Sequence, residues 1–419
     1  MNNKCLHNEK ISMALFFVTL AMYSFVYMTK NCYNAAMVYL VDDGILTKSQ
    51  TGAISALFYL TYAPFQIMGG MAADKYSPFK LILIGLIGSA LCNFAILFTE
   101  SYPVMLAIWG FNGVIQFGIW PGVFKIMSSV LAPVHRRDAI FYALFGGTIG
   151  PVLSFCVAGF ANTWKTNFVV ATVILFTLSL VWFLLSPYFV KNLSDEDEHA
   201  HGVAHMPEPK KNENAKSSGA FSLFLKSGLV IMLLPMMIQS IFSVGIQAVV
   251  PTMIKESYDN VSPSVASFLA VFPVIIAVFG KLGMQAVYRK KIHNESMTLF
   301  ITMMMVVAPL IVMSFIGRIN YWIIIAMLSL CVAISNACGV VTATYLPIRF
   351  SKYGRTSTVS GIINAMASLG IVCSNYISPR LADMFGGWVE VVFAWCIFAT
   401  AAALLYLASY IPWKKFVRE

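Results

Sequence analysis

Residues 11–40 read ISMALFFVTLAMYSFVYMTKNCYNAAMVYL, a run in which Lys30 is the only charged side chain. A membrane-spanning helix needs about 20 predominantly apolar residues. The run is longer than the apolar core of a signal peptide, and no small-residue cleavage site follows it. We therefore predict that residues 11–40 form a retained first transmembrane helix.

Eleven further runs of this kind follow, in a chain that is 59% hydrophobic and 11% charged, with a mean hydropathy of +0.77. Soluble domains carry about 25% charged residues, so this composition excludes a soluble globular protein. We predict an all-α membrane protein with twelve transmembrane helices in two pseudo-symmetric six-helix bundles. The predicted helices are 11–40, 48–70, 79–98, 103–131, 138–161, 166–188, 227–253, 264–286, 297–317, 320–346, 357–379 and 388–411.

Residues 189–226 interrupt the apolar pattern after the sixth run. They contain the acidic run Ser194-Asp195-Glu196-Asp197-Glu198, two prolines and several lysines, a composition typical of a solvated linker. The sequence therefore predicts an N-terminal bundle at 1–188, a cytoplasmic linker at 189–226 and a C-terminal bundle at 227–419.

The positive charge of the chain indicates its orientation. If the N-terminus is cytoplasmic, twenty Lys and Arg residues lie on the inner side, five lie outside and three lie within helices. Positive residues concentrate in cytoplasmic loops, so both termini and the linker are predicted to be cytoplasmic. The net charge of +10 is thus explained by topology, and we predict no nucleic-acid partner. The eight cysteines show no paired spacing, and we predict no disulfide, metal or cofactor.

Polar side chains recur at helical spacing in the first run, where Tyr23, Tyr27, Lys30 and Asn34 share one face. Similar faces occur in the second, fourth, seventh, tenth and eleventh runs. Interhelical hydrogen bonds, worth about 0.6 kcal/mol each, would explain one such residue. Several such faces together favour a water-filled binding cavity. The candidate substrate-binding residues are Tyr23, Tyr27, Lys30, Asn34, Tyr62, Gln66, Gln116, Trp120, Ser243, Gln247, Asn336 and Asn364.

Lys30 is the most informative of these residues. A lysine at the centre of a membrane helix costs about 2.5–3.5 kcal/mol on insertion scales, and no Asp or Glu occupies the middle of any predicted helix. A structural lysine bonded to carbonyl groups is one interpretation; the favoured one is a cationic site for an anionic substrate. Lys125 and Lys281 lie nearer the helix ends, where we expect their side chains to snorkel. The lack of intramembrane carboxylates favours exchange or facilitated movement over carboxylate-based proton symport.

The loop after the second run reads Gly70-Met71-Ala72-Ala73-Asp74-Lys75-Tyr76-Ser77-Pro78-Phe79-Lys80. It resembles the GxxxD(R/K) loop signature of the major facilitator superfamily, and with six plus six helices it implies the major facilitator fold. The resemblance implies that Gly70 allows close helix approach. It also implies that Asp74 and Lys75 act with Arg355 as an inner latch.

Within that superfamily the chain looks most like the organophosphate:phosphate antiporter group. The resemblance is clearest at 113–121, GVIQFGIWP, and at the two tyrosines that precede Lys30. Several cationic or histidine positions of that group are replaced here, which implies a less charged substrate than a phosphate dianion. The replacements are Lys30 for an arginine, Asn31 and Gln66 for lysines, Ser243 for an arginine and Gly147 for a histidine.

These features predict a secondary transporter that moves a small organic anion or polar metabolite, such as a sugar phosphate or a carboxylate, by alternating access. The alternative is a non-transporting membrane sensor with the same fold. An enzyme is not predicted, because the chain has no cluster of nucleophile, base or metal ligands. The expected partners are the lipid bilayer and a small-molecule substrate, in a monomer of the bacterial plasma (inner) membrane.

Overall fold

The computed structural model describes residues 4–195, 220–291, 294–350, 353 and 356–418. Twelve long helices make up most of this part of the chain. They are α1 Glu9–Asp42, α2 Lys48–Lys75, α3 Pro78–Ile96, α4 Tyr102–Val130, α5 Pro133–Phe160, α6 Trp164–Lys191, α7 Leu229–Ser257, α8 Pro263–Tyr288, α9 Glu295–Met313, α10 Tyr321–Ile348, α11 Thr356–Phe385 and α12 Val389–Ala408.

The multi-pass helical fold predicted from the apolar runs is confirmed. Ten helices of the described chain are long and apolar enough to cross a membrane; only part of α11, Gly361–Phe385, counts toward its span. The other two long helices are α2 and α5. Helix α5 opens with the polar segment 135–138 and contains the apolar stretch Gly146–Phe160. Most of the predicted linker at 189–226 lies outside the described residues.

The chain divides into two compact units. The first comprises residues 1–46 and 53–207, and the second comprises residues 47–52 and 208–419. In the first unit α1 packs along α5 and α6, and α3 packs against α4 and α6. In the second unit α8 packs along α10, and α9 packs against α10 and α12.

Three of the long helices contain a turn of π-helix. These turns are Ile126–Val130 in α4, Ile241–Gly245 in α7 and Val341–Tyr345 in α10. A π-turn interrupts the regular backbone hydrogen-bond ladder and is frequent at functional sites. The π-turn of α7 contains Ser243, one of the predicted polar residues.

A short two-stranded sheet lies within the first unit. Strand β1, Lys4–Cys5, pairs antiparallel with β2, Ser194–Asp195. The next residue, Leu6, is fully buried and its amide donates to the carbonyl of Val130. Residues near the N-terminus therefore bind the segment after α6 and the end of α4, a contact that apolar periodicity does not predict.

A buried carboxylate joins four segments of the second unit. Glu295, fully buried at the start of α9, accepts from Arg349 Nε at 2.7 Å and from the Tyr288 hydroxyl at 2.6 Å. Its other oxygen accepts from Trp413 Nε1 at 2.9 Å. Trp413 belongs to the terminal helix Tyr410–Arg418. Because each oxygen has a partner, the desolvation cost of the buried charge is offset.

The close helix approach predicted at Gly70 occurs one residue earlier, and that expectation is wrong. A Cβ at Gly69 would overlap the carbonyl oxygen of Phe117 in α4, whereas a Cβ at Gly70 would meet no atom within 4 Å. One residue is about 100° of helix rotation, which is enough to turn Gly70 away from α4. Gly69 therefore sets the separation of α2 and α4.

We expect Gly69→Ala to destabilise the folded protein by about 1–3 kcal/mol, the usual cost of overpacking a close contact. Gly70→Ala is the matched control and should melt at or above the parent temperature, because alanine is the better helix former. Thermal unfolding of the detergent-purified variants measures both effects. Equal melting temperatures for the two variants would contradict this account of the contact.

Candidate functional site

The first unit places Lys30 among aromatic rings. The side chain is buried at 7% exposure, and its Nζ lies 3.8 Å from the centre of the Tyr62 ring. The ring centres of Tyr59, Phe58 and Tyr27 follow at 5.1, 5.3 and 5.4 Å. We call these four rings and Lys30 the lysine cage. Such a contact contributes from about 0.5–1 kcal/mol at an exposed site to about 2 kcal/mol when it is desolvated.

No carboxylate of the described residues forms an ion pair with Lys30. The ammonium is held by the negative faces of neutral rings, which attract a cation but do not neutralise its charge. The charge therefore remains available to an anion that reaches the lysine cage.

The Tyr62 hydroxyl can donate to such an anion. Gln66 Nε2 donates to the Tyr62 oxygen at 2.9 Å, so Tyr62 keeps its own hydroxyl proton for another acceptor. The Tyr62 ring also stacks on Phe58, at 5.8 Å between centroids and 12° between planes. This stacking holds the hydroxyl in a defined position beside the ammonium.

Tyr23 and Trp120 extend the aromatic surface beyond the lysine cage. Their rings stack at 5.0 Å, and Tyr23 meets Tyr27 edge-on at 4.9 Å. Helix α5 approaches closely behind them: a Cβ at Gly150 would overlap the Cβ of Tyr27, and one at Gly147 would lie 3.4 Å from its ring. The glycines of α5 thus leave room for the tyrosines of α1.

Asn34 lies one turn further along the same face of α1 and is also buried. Its oxygen accepts from Ser55 Oγ at 2.8 Å, and its Nδ2 donates to Asn31 Oδ1 at 3.4 Å. The amide therefore links α1 to α2 beside the lysine cage. The structure brings Tyr23, Tyr27, Lys30, Asn34, Tyr62, Gln66 and Trp120 together on neighbouring faces of the first unit.

Gln116 does not join this group. Its Nε2 donates to Ser89 Oγ at 2.8 Å and to Asn112 Oδ1 at 3.3 Å, and Ser89 belongs to α3. The side chain is buried at 3% exposure. Gln116 thus forms a buried bridge between α3 and α4, which is the contact expected of a structural amide.

In the second unit the predicted polar residues meet at the π-turn of α7. The carbonyl oxygen of Ser243 accepts from Gln247 Nε2 at 2.7 Å and from Asn336 Nδ2 at 3.1 Å. Asn336 also donates to the carbonyl of Val332 at 2.9 Å. The sequence pointed to the Ser243 side chain, whereas its backbone oxygen is the group that gathers the two amides.

The remaining predicted residues lie apart from these groups or outside the described part. Asn364 is exposed on α11, and its backbone oxygen accepts from Ser368. Lys75 is exposed at the end of α2. Arg355 and the side chain of Asp74 lie outside the described residues, so the proposed latch between them stays a prediction.

Phe58 and Tyr59 belong to the lysine cage but were not among the predicted site residues. Phe58 carries no polar group, and its sequence position resembles that of any apolar core residue. The signal that could have found it is spacing, because Phe58 precedes Tyr62 by one helical turn and the same face must approach Lys30.

Comparison with known proteins gives the family. A family model described as Major Facilitator Superfamily matches residues 19–374. Among curated proteins, a probable hexose phosphate transport protein of Chlamydia trachomatis is 24% identical over 45% of this chain and 44% of its own length. The membrane sensor protein UhpC of Salmonella typhimurium is 26% identical over 38% of this chain and 37% of its own length.

A hexuronate transporter of Bacillus subtilis is 25% identical over 41% of this chain and 40% of its own length. The chain therefore spans less than half the length of these curated relatives in each match. The hexose phosphate relative agrees with the resemblance to the organophosphate antiporter group.

A solved structure confirms the fold. A bacterial homologue of the human lysosomal transporter Spinster, in its inward-facing and unoccupied conformation, superposes with a TM-score of 0.77 at 15% identity. The match covers 98% of this chain and 99% of that one. At this identity the similarity concerns the fold alone.

The two glutamines of the first unit should respond differently to truncation. We expect Gln116→Ala to lower the free energy of unfolding by about 1–2 kcal/mol, because Ser89 and Asn112 then lose a buried partner. Gln66→Ala, at a half-buried position, should change unfolding by less than about 0.5 kcal/mol. Thermal unfolding of both variants tests this assignment. A more damaging change at Gln66 than at Gln116 would contradict it.

Proposed function

Because the chain belongs to the Major Facilitator Superfamily, we propose that it is a secondary transporter that moves a small organic anion across the membrane by alternating access. One observation carries the proposal: the Lys30 ammonium is buried among aromatic rings, without an ion-pair partner among the described residues. A structural lysine would be expected to pair with a carboxylate or with backbone carbonyls.

The lysine cage suits an anion with a polar body. The anionic oxygen would contact Lys30 Nζ in a site of low dielectric, where a charge pair is stronger than in water. The Tyr62 hydroxyl would donate to a second oxygen, and the rings of Tyr23 and Trp120 would cover the apolar faces of the solute. Tyrosine and amide groups can bind sugar or metabolite hydroxyls without demanding a second charge.

The relatives support this class of substrate by their names, which include hexose phosphate and hexuronate transport. These solutes are polyhydroxylated and carry a phosphate or a carboxylate. Lys30 is a point charge and does not reproduce the bidentate grip of arginine on phosphate. Within the first unit, the site therefore fits a hexuronate or another monoanion better than a phosphate dianion.

The charge of Lys30 also favours exchange as the mode of transport. Substrate binding neutralises Lys30, so the loaded site can be carried through a low-dielectric environment at lower cost than the empty one. The absence of mid-helix Asp and Glu from the sequence removes the usual carboxylates of proton symport. Exchange or facilitated movement is therefore the proposed mode.

A non-transporting sensor is the second candidate, because the relatives include a membrane sensor protein. A sensor would use the same anion contact without flux. Binding of a hexuronate to purified protein with no uptake into proteoliposomes would identify this function instead.

The setting of the protein belongs to the same proposal. We place it as a monomer in a bacterial plasma (inner) membrane. Both termini and the linker are cytoplasmic in this proposal, because Lys and Arg residues concentrate on that side of the membrane. The two six-helix bundles are 1–188 and 227–419, joined by 189–226. Its partners are the lipid bilayer and the solute, without nucleic acid or cofactor.

We expect Lys30→Met to lower kcat/KM for uptake of a transported anion by about 30-fold or more, since losing a charged contact costs about 2 kcal/mol or more. The same variant should keep or raise its melting temperature, because an unneutralised buried charge is removed. Uptake of labelled glucuronate and glucose 6-phosphate into proteoliposomes measures the first effect, and thermal unfolding measures the second.

Lys125→Met is the matched control, since it removes the same group near the end of α4. It should transport at close to the parent rate. Equal uptake by Lys30→Met and the parent would show that Lys30 is structural and would overturn the site assignment.

A further inference from the structure

Two short helices of the second unit lie directly beside its membrane spans. One of them, Ala220–Lys226, ends three residues before α7 begins. The other, the terminal helix Tyr410–Arg418, begins two residues after α12 ends. A Cβ at Gly228, whose φ is +76°, would lie 2.9 Å from the Cβ of Pro412 in the terminal helix. The two short helices are therefore neighbours at one end of α7 and α12.

A buried aromatic residue holds both short helices against the protein. Phe350, which follows α10, contacts the ring of Phe224 in the first short helix at 6.0 Å between centroids. It also contacts the rings of Trp413 and Phe416 in the terminal helix at 6.1 and 4.9 Å. Trp413 is fixed further by its hydrogen bond to Glu295. The positions of both short helices are thus set by side chains on their buried sides.

The opposite side of the terminal helix carries apolar and cationic side chains together. At about 100° of rotation per residue, Trp413 and Phe416 lie about 60° apart on the buried side. Ile411, Lys414 and Lys415 share an arc of about 100° on the other side. Ile411 is 63% exposed, Lys415 is exposed and Lys414 is half-buried. The terminal helix is therefore amphipathic, with its cations on the outer side.

The first short helix adds the same two kinds of side chain. Leu225 is 52% exposed, and Lys226 beside it is also exposed. Neither Lys226 nor Lys415 forms an ion pair with another described residue. Together the two helices contain four Lys and Arg residues and no Asp or Glu. We call Leu225, Lys226, Ile411 and Lys415 the basic surface.

The basic surface matches the boundary of an anionic bilayer. Amphipathic helices of this kind lie in the plane of the interface, with their apolar side chains among the acyl chains and their cations at the headgroups. Clusters of Lys and Arg directly beside a membrane span bind anionic lipids. A soluble acidic partner would account for the two lysines but would leave Leu225 and Ile411 in water.

A role in membrane topology alone does not explain this arrangement. Lysines that only orient a chain act from any position in a short loop. Lys226 and Lys415 are instead carried on helices that Phe350 fixes, and each lies near an exposed apolar residue. Defined positions of this kind are needed for a surface that binds a ligand.

We propose that the basic surface binds the headgroups of anionic phospholipids, with Leu225 and Ile411 among the acyl chains. The partner is identified by its chemistry, a phosphate monoanion attached to apolar chains. Lipid binding would connect the terminal helix, and through Trp413 the buried Glu295, to the membrane surface. The inference goes beyond the proposed function, and its test needs no transported solute.

The experiment measures lipid binding to the purified full-length protein in a neutral detergent. The protein is titrated with dioleoylphosphatidylglycerol, or with dioleoylphosphatidylcholine, which has the same chains and no net charge. The lipid concentration that gives half of the maximal rise in Tm is the apparent affinity. We expect phosphatidylglycerol to raise the Tm of the parent more than phosphatidylcholine does. Raising NaCl from about 0.1 to about 0.5 M should weaken the effect of phosphatidylglycerol by screening the charges.

The double variant Lys226→Gln/Lys415→Gln should lower the apparent affinity for phosphatidylglycerol by about tenfold or more. Lys226→Arg/Lys415→Arg should remain within about threefold of the parent, because the charge is kept. Arg318→Gln/Arg380→Gln is the matched control, since it removes the same charge from two exposed residues of the second unit outside the basic surface. It should also remain within about threefold of the parent.

Ile411→Ser separates a lipid from a soluble anion, because it keeps every charge and removes an apolar contact with the acyl chains. We expect it to lower the apparent affinity for phosphatidylglycerol by about threefold or more. An unchanged affinity in Ile411→Ser would show that the surface binds an anion without chains, and would overturn the inference.

Two further results would also overturn it. One is an equal rise in Tm with the two lipids, or an equal affinity for phosphatidylglycerol in Lys226→Gln/Lys415→Gln and its matched control. The other is a dimer of the parent in detergent that dissociates in Lys226→Gln/Lys415→Gln while the two lipids act alike. That result would show that a second copy of the chain covers the basic surface. Each of these outcomes leaves the proposed transport function untouched.

Discussion

The burial of a lysine ammonium among aromatic rings is the constraint on which the first unit depends. Placing Lys30 within the membrane costs free energy, and the faces of Tyr62, Tyr59, Phe58 and Tyr27 recover part of it. Cation–π contacts stabilise the charge without neutralising it, unlike a carboxylate. The ammonium is therefore stable enough for the chain to fold and remains able to attract an anion.

The helices around Lys30 must leave room for the aromatic rings that hold it. The rings of α1 and α2 need room, which the glycines of α5 provide behind Tyr27, while Gly69 lets α2 approach α4. In the second unit, the π-turn of α7 frees the carbonyl of Ser243 to hold two amides. Irregular backbone in a membrane is tolerated where it lines a cavity or is buried in protein, which agrees with polar groups gathered at these positions.

Much of the fold could be predicted from the sequence, because a bilayer demands long apolar helices and the runs have few alternatives. The group of Tyr23, Tyr27, Lys30 and Asn34 also followed from helical spacing. The expected contacts differ from the observed ones where a rotation by one residue, or a departure from regular helix, decides which side chains meet. Gly69 rather than Gly70 meets α4, and Gln116 turns toward α3. The π-turns and the strand at Lys4–Cys5 depend on tertiary contacts that no local pattern encodes.

A structure of the protein with bound glucuronate or glucose 6-phosphate tests the central claim most directly. If Lys30 is the anion anchor, an anionic oxygen of the solute will lie about 2.7–3.2 Å from its Nζ. The Tyr62 hydroxyl should then donate to a neighbouring oxygen of the solute. A bound solute located elsewhere, with the ammonium still centred over the Tyr62 ring, would contradict the account.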